Sequence, residues 1–242
     1  MRHCFFAASL LCTATAGAEM PELLDAAVHK YAAEAGHWAY TMTNVTRDRA
    51  GKVEDTTVTR IDPSQPYDAQ LTLRTKNGRP ATEREVKKIR EQAEKARQNR
   101  KTLGELLQLD QAFVAEETPE AITYEVPLNP RENDRLPPEK FRITIRVNQA
   151  QQVFEHVAVR LRAPLRAALI VKLTAGEADI DFASVDPGHP PPVASIRADG
   201  AGTVLFLKVG GSYEQTRSDF KRVTPYSGRF KVKLGPLKFL DF

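Results

Sequence analysis

The chain has 242 residues, 41% hydrophobic and 27% charged, with 16 Pro, 13 Gly and a formal net charge of +4. This excludes a disordered tail, a collagen-like fibre and a polytopic membrane protein. A chain of this size buries roughly 70 to 75% of its unfolded surface, so one domain can hold together without staples.

The first eighteen residues, MRHCFFAASLLCTATAGA, stand apart from the rest. Arg2 and His3 make a basic start, Cys4 to about Ala14 is apolar, and Ala16-Gly17-Ala18 fits a small-x-small cleavage site. They are predicted to be a secretory signal peptide, residues 1–18, cut before Glu19. The apolar run is far below the ~20 residues that a spanning helix requires. A lipoprotein anchor at Cys12 would need a small residue before the cysteine, and Leu11 stands there. Both cysteines, Cys4 and Cys12, leave with this segment. The exported chain, 19–242, is therefore expected to be periplasmic, with no disulfide, thiolate metal site or cysteine nucleophile.

Pro21 to Ala35 places Leu23, Leu24, Ala27, Val28, Tyr31 and Ala32 at spacings of three and four, which predicts an amphipathic helix ended by Gly36. From His37 the period becomes two, with Trp38, Tyr40 and Met42 alternating with Ala39, Thr41 and Thr43. A turn at Asp48 to Lys52 leads into a second strand, Val53 to Ile61, and a third follows near Gln70 to Thr75, stopped by Asn77-Gly78. Thr82 and Glu85 then form a T-x-x-E capping box at the head of a helix from Glu83 to about Lys101, basic and with a thin apolar stripe of Val86, Ile89, Ala93 and Ala96. A greasier piece at Leu103, Leu106, Leu107 and Leu109 completes a helical lid over about 82–109.

Beyond Gln111 the chain reads as β structure: Ala112 to Glu116, Ala121 to Val126, Lys140 to Val147, Gln152 to Arg162, Leu165 to Leu173, Ala178 to Val185, Ala194 to Ala198, Thr203 to Val209 and Tyr213 to Val223. Alternation is clearest in Phe141, Ile143, Ile145 and Val147, where Arg142, Thr144 and Arg146 take the other face. Asp199 to Gly202 and Gly210-Gly211 read as hairpin turns. Hairpin spacing without intervening helices predicts an α+β fold in which an antiparallel meander of about a dozen strands curls, its apolar concave face covered by the first-half helices.

Motifs of catalysis are missing from the sequence. His29, His37, His156 and His189 are scattered without metal-ligand spacing, and no cofactor motif is present, so neither metal nor cofactor is expected. Asp179 and Asp181, at i and i+2 on a predicted strand, share a face, which reads as a solvated outer surface. The basic helix 83–101 is the place where a peripheral membrane contact would fall, but its Glu83/Lys87 and Glu91/Lys95 pairs also describe a plain solvated helix. Nucleic acid is disfavoured by export and by the lack of basic clusters interleaved with aromatics. Phe242 ends the chain as outer-membrane barrels often do, but Pro236 and the lack of a long alternating last strand argue against insertion.

An N-terminal helix, a Trp38-Ala39-Tyr40-Thr41 first strand, a helical excursion after strand three and the late strand YEQTRSDFKRV from Tyr213 to Val223 together resemble the periplasmic lipoprotein-carrier superfamily of LolA, LolB and RseB. The resemblance implies an unclosed antiparallel half-barrel, capped by helices, whose apolar concave surface accepts acyl chains. The function expected on that basis is non-catalytic binding of an acyl chain or lipidated protein. The alternative is a structural or regulatory module of the cell envelope that docks a protein partner and has a filled half-barrel core. The expected lining residues are Trp38, Tyr40, Met42, Phe141, Ile143 and Ile145 from the sheet and Ile89, Leu103, Leu106 and Leu107 from the helices. The same ten residues would equally fill a dry core.

Overall fold

The computed structural model describes residues 20–34, 36–99, 101–131, 137–168, 171–204 and 207–227. The expected signal peptide with Cys4 and Cys12, and Pro236 and Phe242, lie outside the described residues. Among the described residues no helix is long and apolar enough to cross a membrane.

Among the described residues the architecture is a 12-stranded antiparallel sheet that does not close, with three α-helices. Helix α1, Glu22–Glu34, precedes strands β1 (Trp38–Asp48), β2 (Val53–Ile61), β3 (Leu71–Lys76) and the two-residue β4 (Arg79–Pro80). Helices α2 (Glu83–Gln98) and α3 (Leu103–Leu106) follow. The remainder is β5 (Phe113–Glu117), β6 (Ala121–Glu125), β7 (Phe141–Asn148), β8 (Val153–Leu161), β9 (Leu165–Ala168), β10 (Val171–Phe182), β11 (Val193–Val204) and β12 (Leu207–Arg222).

The strand order is β4-β3-β2-β1-β12-β11-β10-β8-β7-β6-β5, with β9 attached to β10. The expected meander is therefore broken once and joined elsewhere: the first strand pairs with the last, Asn44 opposite Gln215. The two sheet edges, β4 and β5, are consecutive in sequence, so the α2–α3 excursion connects one edge of the open sheet to the other. The sequence also divides the β10–β12 region wrongly. Gly200 and Gly202 lie inside β11 and Gly210 and Gly211 inside β12, not in turns, while Leu165 to Leu173 splits into β9 and the start of β10. Glycines mimic turns in a sequence, but here they admit close backbone approach: a Cβ on Gly210 would stand 2.7 Å from the Gly200 carbonyl oxygen.

Local chemistry explains the helices. Glu85 accepts from the Thr82 backbone N–H at 2.9 Å while Thr82 Oγ1 accepts from the Glu85 N–H at 3.4 Å, so the predicted capping box opens α2. A second box, Thr102 with Glu105, opens α3. Asn77 and Gly78 adopt φ values of 50° and 75° in the turn between β3 and β4, a conformation that glycine enters without steric cost.

The core lies beneath α1. Leu24 and Ala27 are fully buried against Tyr124, Val126, Ile143, Ile145, Val147 and Phe154, with Leu107 and Leu109 closing the side. Tyr31 adds an aromatic cluster, its ring 5.5 Å from Phe154 and 5.8 Å from Phe182.

Candidate functional site

One transverse row of side chains, read through the strand register, shows how the helix-bearing face is partitioned. Tyr124, Ile145, Val157, Ile180 and Ile196 run from β6 across β7, β8, β10 and β11. The row continues through Gln215 on β12, Asn44 on β1 and Thr57 on β2. Its chemistry thus changes from hydrocarbon to hydrogen-bonding groups at β12.

Those polar groups satisfy one another as a relay across three strands. Arg217 donates to the Gln215 side-chain oxygen from Nε and Nη2, both at 2.9 Å, and the Gln215 amide donates to Tyr213 Oη at 3.1 Å. Tyr213 donates to Asn44 Oδ1 at 2.9 Å, and Asn44 Nδ2 donates to Thr57 Oγ1 at 3.2 Å. Burial pushes the Tyr213 phenol pKa up, with Arg217 acting in the opposite direction, so it remains a neutral donor. Arg217 also lies 4.7 Å from the Tyr40 ring centroid.

Past this seam, where β2 and β3 approach their edge, α2 lies over the sheet with only Glu85, Val86, Ile89 and Ala93 half-buried. None of its residues is buried, and its packing falls on β3. Between the second half of α2 and the β2–β3 connection is a cavity of about 740 Å³. Ile61, Tyr67, Leu71 and Ala93 supply its apolar lining, and Arg90, Lys95 and Arg97 ring it with Asp68, Glu91 and Glu94. Two polar contacts hold the helix over it: Arg90 Nε donates to the Leu71 carbonyl at 3.3 Å, and the Arg97 guanidinium sits 4.6 Å above the Tyr67 ring. At the other end, the Arg79 guanidinium, followed by the Thr82 hydrogen bonds, lowers the Glu85 carboxyl pKa to about 2.

The outer sheet face is built differently. His156 bridges two carboxylates, Nδ1 to Asp181 at 2.9 Å and Nε2 to Asp179 at 3.1 Å. Arg160 pairs with Asp179 at 2.7 Å and Arg197 with Asp181 at 2.8 Å, and the Ser195 hydroxyl donates to Asp181 at 2.7 Å. The Ser195 bond, then His156 and Arg197, holds the Asp181 carboxyl below its usual range. Ser195 thus bonds a carboxylate and not the imidazole, which is ion-pair cross-linking across strands and not the geometry of an activated nucleophile. Among the described residues no group of three or more His, Asp or Glu is placed to hold a metal ion.

The ten residues expected to line a ligand site fall into separate places. Ile143, Ile145 and Leu107 are buried in the core under α1, and Leu103 and Leu106 pack against that core. Phe141 is half-buried on the same strand. Trp38 is buried against Phe220 and His189, Tyr40 packs on Phe220, and Met42 is half-buried beside Thr59. Ile89 is half-buried on α2. The cavity floor, Ile61 with Leu71, consists instead of residues directly opposite each other on β2 and β3. Each borders the Asp62–Gln70 connection, so no run of alternation marks them in the sequence.

The chain matches no family model, no curated protein and no solved structure.

Proposed function

We propose that the protein is a non-catalytic periplasmic binder of acyl chains or lipidated protein, of the lipoprotein-carrier type, and that the chain sits in the cavity between α2 and the β2–β3 connection. The observation that carries this reading is the 740 Å³ space with an apolar floor under a helix that buries none of its own residues. Its volume falls within the ~300 to 1,000 Å³ of small-molecule sites. Burying a sixteen-carbon chain contributes on the order of 12 kcal/mol gross, at ~0.8 kcal/mol per methylene, so no catalytic group is required for affinity. Ile61, Leu71, Tyr67 and Ala93 would take the hydrocarbon, while Lys95 at the rim would meet an anionic headgroup, Arg97 being paired with Glu94 and Arg90 with the Leu71 carbonyl.

The second reading, a protein-interaction module, has the solid packing beneath α1 on its side. Native mass spectrometry with a sixteen-carbon fatty acid separates the two. The expected result is one bound chain, with affinity at least tenfold lower in Leu71→Glu while circular dichroism keeps the sheet signal. Leu71 is half-buried, so the charge is tolerable there, unlike at fully packed Ile143. No binding by the native protein, or equal binding by the variant, overturns the proposal.

A further inference from the structure

Among the described residues, the register shows a part of the sheet with no partner strand beyond β9 on one side and β12 on the other. Strand β8 pairs with β10 only between Glu177 and Asp181, and β1 reaches along β12 only as far as Gly211. The outer ends of β10, β11 and β12, with β9 alongside, therefore project beyond the rim as a four-stranded flap. Its root is a band of glycines in register, Gly176 opposite Gly200 and Gly200 opposite Gly211.

The flap is amphipathic across its thickness. Arg166, Lys172, Thr203 and Lys208 form one cross-strand row, and Leu165, Leu173, Gly202 and Val209 form the next, which a strand's alternation places on the opposite face. Exposure on the apolar side rises from 5% at Leu165 to 42% at Val209 and 73% at Leu207. Residues 163–176 and 200–213 contain Arg166, Lys172 and Lys208 and no Asp or Glu at all. By contrast, α2 mixes Glu83, Glu85, Glu91 and Glu94 among its basic residues.

We propose that this flap is a docking element for an anionic lipid bilayer surface. A bilayer interface supplies both complements within the thickness of one sheet: an acyl boundary for Leu207 and Val209, and phosphate headgroups for Arg166, Lys172 and Lys208, whose stems reach upward past the apolar layer. A second copy of the chain would cover the apolar face but leave the basic row without counter-charge. Among the described residues the flap segment of β12 is also an unpaired strand edge with large exposed apolar side chains, a feature that soluble proteins otherwise blunt or cover. The inference goes beyond the acyl-binding reading and does not depend on it.

Co-flotation of the purified protein with vesicles tests the docking. Vesicles of phosphatidylglycerol and phosphatidylethanolamine should carry the protein at low salt, and phosphatidylcholine vesicles at least tenfold less. Leu207→Asp should weaken partitioning at least tenfold, and Lys172→Gln and Lys208→Gln by about fivefold each. All three positions are exposed, so folding is preserved and is checked by circular dichroism. Failure of the native protein to float with either vesicle, equal flotation with both, or insensitivity to Leu207→Asp overturns the proposal. So does a dimer that Leu207→Asp dissociates without any vesicle binding, which identifies a second copy as the occupant. Acidic-peptide binding in place of flotation does the same for a protein partner. Leu71→Glu should float as the native protein does, which keeps this outcome separate from that of the acyl cavity.

Discussion

The two ends of the helix-bearing face solve the same problem in opposite ways. Under α1 the row through Tyr124, Ile145 and Val157 is covered by a helix that buries Leu24 and Ala27 completely, and the space is filled. Over β2 and β3 the covering helix has no buried residue of its own and, although Thr59 and Leu73 of the sheet are buried there, leaves a cavity of about 740 Å³ beside them. The difference follows from composition. Helix α1 offers apolar residues at two adjacent ridges, whereas the 16-residue α2 offers a single thin stripe flanked by charge. One helix is part of the core and the other is a cover. Between them the Arg217–Gln215–Tyr213–Asn44–Thr57 relay marks the boundary.

The widest gap between the two ends should appear on truncating the helices. Leu24→Ala removes a fully buried side chain and should cost about 2 to 5 kcal/mol in denaturant unfolding. Ile89→Ala on α2, where no residue is buried, should cost less than about 1 kcal/mol. Equal losses would remove the distinction between core helix and cover.

The boundary itself gives the next effect. Tyr213→Phe removes the hydroxyl that joins Gln215 to Asn44 and should cost about 1 to 3 kcal/mol, since both partners lose a bond where little water can replace it. Asn44→Ala should cost a similar amount, and the double variant less than the two together, because the relay is a connected unit. Strict additivity in a double-mutant cycle would show that the polar groups act independently.

Much of the fold was readable because local pattern and tertiary role agree. The Phe141, Ile143, Ile145 and Val147 alternation predicts the inward face of β7, and the Thr82–Glu85 box predicts the start of α2. What escaped reading depends on residues far apart. Pairing of β1 with β12 brings Asn44 to Gln215, and no local signal encodes a contact at that separation. The glycines of β11 and β12 look like turns until their cross-strand partners are known. The Thr102–Glu105 box carries the same T-x-x-E signature as Thr82–Glu85, but Gly104 inside it breaks the helical pattern. The candidate cavity was the least legible part. Ile61 and Leu71 belong to different strands and each ends its own pattern, so only the β2–β3 register puts them together. Apolar periodicity instead points to Ile143 and Ile145, whose burial under α1 is what strong periodicity most often reports.

The smallest expected effect concerns how the cover is tethered. Glu85 binds the Arg79 guanidinium at 2.7 and 2.9 Å and caps Thr82, and its folded-state pKa of about 2 lies below the ordinary glutamate value of 4.5. A depressed carboxyl pKa contributes stability that is present above the unfolded value and is lost as pH falls toward the folded one. The head of α2 should therefore hold at neutral pH and loosen between about 4.5 and about 2, while the filled core under α1, whose buried side chains are almost all apolar, does not respond in that window. Amide hydrogen exchange at Glu85 and Val86, followed against pH, reads this directly, because the Glu85 N–H donates to Thr82 and the Val86 N–H closes the first helical turn onto the Thr82 carbonyl. Glu85→Gln should give fast exchange already at neutral pH and flatten the profile, with the global unfolding midpoint unchanged, since the group is at the surface and the charge pair is local. A midpoint that moves with Glu85 would mean that α2 is coupled to the core, and the contrast between filled and covered ends of the sheet would no longer hold.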